Sequence, residues 1–325
     1  MILPKRALLV GIDEYDSPEV KNLRACVSDA VDMRDTLARN GDDSVNFDCR
    51  MLTGPGSPSV TRAHLRRRWR ELFADFRGDI LFYFSGHGTP GDVGGYLVTQ
   101  DAIEDDPGLP MNELIDMANK SPAATVLVIL DCCYSGTAGN VDAALGSLEH
   151  KAVLREGVTI LAASRPTQEA MEVGGHGVFT RLVLGALRGG AADVRGRVSA
   201  ASIYGYVEAA LGAWGQRPVY KSHAGHLGPV RTNLPKVSDA QLRELVQHFS
   251  AVDDVYAMDP TYEETEPVAI SEHVLIFKKF KAYQIGGLLC PTEGTDLYWA
   301  AKRSQGAKLT ELGKFYHELV ATNRI

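Results

Sequence analysis

The feature of this chain that most narrows its possible folds is a series of short apolar runs along its first two thirds, each followed by a helical stretch or a turn. The runs are "ALLVGI" (7–12), "VNFDCRML" (45–52), "DILFYF" (79–84), "ATVLVIL" (124–130) and "VTILAAS" (158–164), all rich in strand formers. Between and after them the spacing predicts helices over 27–39, 62–76 (with Thr61 as its N-cap), 111–120, 180–187 and 200–211. Strands that are apolar on both faces need cover on both faces, and helix-separated strands run parallel. The expected class is therefore α/β: a mostly parallel sheet sandwiched by helices. In such sheets the chemistry gathers at the carboxyl ends of the strands.

The length of 325 residues suggests two domains. A composition shift near "TNLPKVSDAQ" (232–241) puts the boundary at 1–232 and 233–325. The second part predicts a helix (239–249), an acidic loop "DPTYEETEP" (259–267), a helix (271–283), strand-like "GLLC" (287–290) and "DLYWAA" (296–301), and a last helix (309–323). Helices followed by a small hairpin give a small α+β module, compatible with a winged-helix-like arrangement. Hydrophobic residues are 45% and charged residues 23%, a balance that supports a real core. The net charge of −7 disfavours a polyanion partner, so "RRRWR" (66–70) reads as a solvated helix face and nucleic acid as an unfavoured ligand. A protein-docking role, for a regulatory or sensor protein, suits 233–325 better than DNA binding. No apolar run reaches the roughly 18 residues of a membrane span. Five cysteines and no signal peptide point to a reducing, cytoplasmic setting with free thiols.

The third run leads into Ser85-Gly86-His87-Gly88, and the fourth into Asp131-Cys132-Cys133-Tyr134-Ser135-Gly136. If those strands are neighbours, an imidazole and a thiol leave the same sheet edge together. Thiol catalysis requires that pairing of a thiolate, a base within hydrogen-bond reach and access for substrate. His87 precedes Cys133 by 46 residues (133 − 87), close to the roughly 50-residue spacing of caspases. Adjacent residues on an extended strand point to opposite sides, so only one of Cys132 and Cys133 can meet His87. The other is a small buried hydrophobe.

"YFSGHG" (83–88) followed by "DCCYSG" (131–136) resembles the metacaspase and bacterial caspase-like peptidase family. "LVGIDEY" (9–15), "LRACVSDA" (23–30) and "GHGVFT" (175–180) add to the resemblance, which covers about 5–232. The resemblance implies a cysteine endopeptidase with His87 as general base and Cys133 as nucleophile. It implies an oxyanion hole from the backbone N–H groups of Gly88 and Cys133. It also implies a pocket lined by Asp29 and Asp131 that favours Arg or Lys before the scissile bond. Two carboxylates in a cleft attract a cation, and paired acceptors suit a guanidinium. Without that role, Asp29 is a solvated helix residue and Asp131 a strand-end residue bonding local N–H groups. Tyr134 stands where the family usually has His.

In the loop after Cys133, Lys151 and Arg155 are candidate self-cleavage points. The acidic runs 101–106 and 262–266 lack a calcium-loop spacing, so no cofactor is assigned and calcium activation stays open. His223 and His226 have no accompanying ligand cluster, so no metal site is expected there. His176 borders the cleft or belongs to a structural turn. "GTPGDVGGY" (88–96) lacks a phosphate-loop Lys and reads as a flexible cleft wall. The competing reading is a catalytically silent caspase-like scaffold that binds protein partners.

Overall fold

The computed structural model describes residues 4–91, 94–134, 154–163, 172–173, 176–212, 218–223, 225, 228–294 and 296–325. The chain divides into one compact unit of Met1–Ala192 with Val198–Asn233, and another of Asp193–Arg197 with Leu234–Ile325.

In chain order the first unit begins with β1 (Lys5–Ile12), α1 (Cys26–Ala38), β2 (Asp48–Gly54), α2 (Arg62–Phe73) and β3 (Asp79–Gly91). Next come β4 (Gly94–Ile103), β5 (Asp106–Pro110), α3 (Met111–Lys120), β6 (Thr125–Tyr134) and β7 (Val158–Ala162). Further elements are β8 (Glu172–Val173), β9 (His176–Gly177), α4 (Val178–Gly185), β10 (Arg197–Val198, starting at the last residue of the 193–197 segment), α5 (Ala200–Gly212), β11 (Val219–His223) and β12 (Arg231–Thr232). The main sheet runs β11-β7-β6-β3-β1-β2. From β7 to β2 every pairing is parallel, and β11 is antiparallel to β7. This is the mostly parallel sheet that the apolar runs require.

Residues alternate between two cores. Val10, Phe82, Phe84, Val128 and Leu130 pack on the face carrying Trp69 of α2 and Leu114 of α3. Leu9, Leu81, Tyr83, Leu127 and Ile129 pack on the face carrying Met33 of α1, Val183 of α4 and Val207 of α5. With side chains alternating, both faces of each central strand are buried. α1 lies directly on β1: a side chain at Gly11 would come within 2.2 Å of the Cys26 carbonyl oxygen. That closeness carries Asp29 down towards the sheet.

β3 and β6 are longer than the apolar runs alone predict. Pairing continues through Ser85↔Asp131, Gly86↔Cys132, His87↔Cys133 and Gly88↔Tyr134, so both motifs lie within hydrogen-bonded strands. The described residues of the glycine-rich wall pair with one another. Gly88↔Leu97 through Gly91↔Gly94 form an antiparallel ladder between β3 and β4, because glycines still offer backbone donors and acceptors to a ladder.

The second unit holds α6 (Asp239–Arg243), α7 (Leu245–His248), β13 (Val255–Ala257), α8 (Ser271–Ile285), β14 (Leu289–Pro291), α9 (Leu297–Lys302), β15 (Gly306–Leu309) and α10 (Glu311–Ala321). A capping box of Ser238 and Gln241 starts α6. The three strands are antiparallel in the order β13-β15-β14. Their core includes Phe249, Phe280, Tyr283, Leu297 and Leu309. "DLYWAA" is helical rather than a strand. The Asp296 side chain accepts the Tyr298 N–H, and Leu297, Ala300 and Ala301 bury one helical face. β14 and β15 are thus joined through a helix, not a tight hairpin. The acidic loop is tied to lysines: Glu263 faces Lys281 at 3.6 Å, Glu264 meets Lys278 at 2.9 Å, and Glu266 meets Lys302 at 2.8 Å. Among the described residues, no helix is long and apolar enough to cross a membrane.

Candidate active site

His87 sits at the carboxyl end of β3, 7% exposed. Its backbone N–H donates to the Tyr15 hydroxyl at 2.9 Å, and the two rings lie 5.1 Å apart. Its Nε2 lies 2.6 Å from the Lys21 carbonyl oxygen. A carbonyl only accepts, so Nε2 carries the proton, and in a neutral ring Nδ1 is left with a free lone pair. Nδ1 is buried and has no hydrogen-bond partner among the described residues. Burial lowers the His87 pKa; the Lys21 carbonyl opposes this, and the Lys21 charge adds to it. Burial thus favours the neutral ring, the form a proton acceptor needs.

The Lys21 carbonyl is delivered by the loop between β1 and α1. Asp13 braces that loop, accepting from the N–H groups of Cys26 (2.8 Å) and Val27 (3.3 Å) at the first turn of α1. The Leu23 N–H donates to the Asp13 carbonyl at 2.7 Å, and the Tyr15 N–H to Asn22 Oδ1 at 3.0 Å.

Cys133 pairs with His87 in the β3–β6 ladder, so their backbones are neighbours, with strands roughly 4.8 Å apart. Cys132 is 3% exposed and belongs to the apolar core on the α2 side. A side chain at Gly88 would come within 3.2 Å of Cys132 Sγ, so a glycine suits position 88.

Asp29 and Asp131 are both buried, at 1% and 4% exposure, so neither is a solvated surface residue. Asp29 Oδ1 accepts from His176 Nδ1 at 2.8 Å. Its Oδ2 accepts from the Gly177 N–H at 3.2 Å and the Ser85 hydroxyl at 3.4 Å. Asp131 Oδ2 accepts from the Thr180 N–H at 3.2 Å and its hydroxyl at 2.6 Å. Because that hydroxyl proton is committed to Asp131, the Tyr83 hydroxyl, 2.6 Å from Thr180 Oγ1, donates into the chain. Burial pushes Asp29 well above the usual carboxylate range, and the charge of Asp131 pushes the same way; His176 and Gly177 pull it back. The segment from His176 to Thr180 therefore supplies most of the donors holding both acids. Sequence reasoning had His176 at the cleft border or in a structural turn, and gave Gly177 and Thr180 no separate role.

Arg155 is anchored. Its Nε and Nη2 donate to the carbonyls of Ala118 and Ala123, and its N–H to Asn119 Oδ1. Lys151 and His226 lie outside the described residues. His223 Nδ1 bonds the Leu154 carbonyl, at 3.0 Å, in the edge strand β11. Among the described residues, no cluster of His, Cys, Asp and Glu could hold a metal ion.

This architecture, with a histidine and a cysteine paired at the carboxyl ends of adjacent parallel strands, defines a caspase-like class of α/β protein. The family model described as "Caspase domain" matches residues 4–227, and the chain belongs to that family of cysteine peptidases. Among solved structures, it is similar to a structural-genomics crystal structure of a protein from Geobacter sulfurreducens. The two share 20% identity with a TM-score of 0.52, and the match covers 71% of this chain and 98% of that one. At that identity the likeness is one of fold. No curated protein matches the chain.

Proposed function

We propose that the protein is a cysteine endopeptidase that cleaves after Arg or Lys, with Cys133 as nucleophile and His87 as general base. One observation carries the reading. His87 and Cys133 are paired in the strand ladder, and the proton on Nε2 is committed to the Lys21 carbonyl, which leaves Nδ1 as the base. Strand alternation supports Cys133 over Cys132, since Cys132 is spent in the apolar core and position 133 falls on the other face. In the reaction, Nδ1 takes the thiol proton as sulfur attacks the scissile carbonyl carbon. The C–N bond then breaks as the imidazolium returns that proton to the departing amine, leaving a thioester. Water, deprotonated by the same nitrogen, hydrolyses the thioester and restores the thiol. The Lys21 carbonyl orients the ring and favours the imidazolium. The N–H groups of Gly88 and Cys133 are assigned to the oxyanion.

Asp29 and Asp131 are assigned to the residue before the scissile bond. Asp29, whose proton affinity is raised by burial and by the neighbouring Asp131 charge, gains by taking in a cation. Self-processing, if it controls activity, is assigned to Lys151 rather than Arg155, whose side chain would first have to leave the carbonyls that hold it. Residues 233–325 are assigned to docking a regulatory or sensor protein.

A panel of fluorogenic peptides with Arg, Lys or Asp before the scissile bond, assayed with and without calcium, tests the reading. Turnover of the Arg and Lys peptides alone is expected. Preference for Asp removes the pocket assignment, and no turnover on any peptide favours a silent scaffold.

A further inference from the structure

His176 was left without a role by the peptidase chemistry, yet it bonds Asp29, one of the two acids assigned to the substrate's basic residue. Its Nδ1 is 2.8 Å from Asp29 Oδ1, and its Nε2 is 3.8 Å from Asp32 Oδ2, so the ring stands between two carboxylates of α1. Asp32 is itself paired with Arg188 at 3.2 Å. The His176 side chain is 27% exposed, whereas that of Asp29 is 1% exposed, so the imidazole is the more accessible member of the pair. It is held in place by β9, where His176 pairs with Val173 of β8, and by the Gly177 N–H that bonds the same carboxylate.

The groups facing this pair limit what it can do. From α1 come Asp29, Asp32 and the buried Cys26 thiol; from β3, Ser85 and the Tyr83 hydroxyl; from β6, Asp131. Arg188 pairs with Asp32, and Arg181 on α4 is exposed. Asp131 already has its own donors from Thr180. His176 thus makes the shortest of the side-chain hydrogen bonds given to Asp29, 2.8 Å against 3.4 Å from Ser85.

We propose that His176 is a positioning and specificity-determining residue of the basic pocket. Its Nδ1–H holds the Asp29 carboxylate towards an incoming guanidinium or ammonium, while the Gly177 N–H fixes the other oxygen. The effect falls on binding of the substrate and not on the Cys133–His87 chemistry. This inference rests on the assignment of Asp29 and Asp131 to a basic residue.

The test is steady-state kinetics on an Arg peptide at pH 7.5 with wild type, His176→Ala and His176→Asn. Asparagine presents an N–H near the position of Nδ1. Expected for His176→Ala at pH 7.5 is a KM raised about tenfold with kcat within twofold, of the size of one lost charge-assisted contact. His176→Asn is expected to restore most of that loss. A KM within twofold of wild type in His176→Ala, a His176→Asn variant as impaired as His176→Ala, or a fall in kcat with KM unchanged in both variants, would overturn the proposal. A wild-type enzyme that turns over Asp peptides but not Arg peptides would instead remove the pocket assignment beneath it.

Discussion

Two backbone positions, Lys21 and Cys133, hem in His87, and the consequences are sharpest for the two adjacent cysteines. Cys133→Ala should lower kcat/KM on an Arg peptide by on the order of 1,000-fold or more, through loss of the nucleophile. Cys132→Ala removes only a buried core group, so activity should stay within a few-fold and stability should fall by about 1 kcal/mol. Activity assays with urea melts of both variants check this, and equal losses would contradict it. Asp29 makes a second residue-scale prediction. Its folded pKa lies above its unfolded value, so its ionisation costs stability above the unfolded pKa. Asp29→Asn should therefore raise Tm at pH 8, with the gain shrinking as pH falls towards 4, while KM for Arg peptides rises. An unchanged Tm difference across that range would count against the linkage. His87 and Cys133 were legible because each lies in a short motif after an apolar run. Lys21 was not, because its contribution is a carbonyl that every residue possesses. Tyr15 and Thr180 act on partners 72 and 49 positions away, beyond any local pattern.

At the scale of elements, the β1–α1 loop links stability to chemistry. Asp13 serves as a remote cap for α1, and the same loop carries the Lys21 carbonyl to His87. Asp13→Ala should cost about 1 kcal/mol as a lost cap. It should also lower kcat more than it raises KM, because the imidazole loses its orientation. Thermal melts and kinetics at saturating substrate measure both, and a stability loss with kcat unchanged would separate the loop from catalysis. The central strands were legible because both of their faces are apolar. Their extensions were not: Ser85–Gly88 and Asp131–Tyr134 are polar or glycine-rich, and only pairing across the sheet makes them strands. "DLYWAA" misled in the opposite direction, since its aromatic residues suit a strand but Asp296 and the paired alanines start and sustain a helix.

At the scale of the whole molecule, the two units have separate hydrophobic cores. Unfolding should then depart from a two-state transition. Calorimetry should give a van't Hoff enthalpy smaller than the calorimetric one, and equality of the two would show that the cores melt together. The architecture of the first unit followed from its strand–helix rhythm. The second unit was harder to read because its strands are only three or four residues long, and its acidic loop is explained by lysines distant in sequence.

The most direct measurement treats the intact protein with an arginyl chloromethyl ketone, an electrophile that needs both a basic pocket and an activated thiolate, and maps the adduct by peptide mass spectrometry. The predicted result is a single adduct on the sulfur of Cys133, formed rapidly by wild type, slowed at least a hundredfold in His87→Ala, and slowed by excess free arginine ester. An adduct on Cys132, Cys26 or Cys290 instead, or labelling of Cys133 at the same rate without His87, would contradict the proposed dyad.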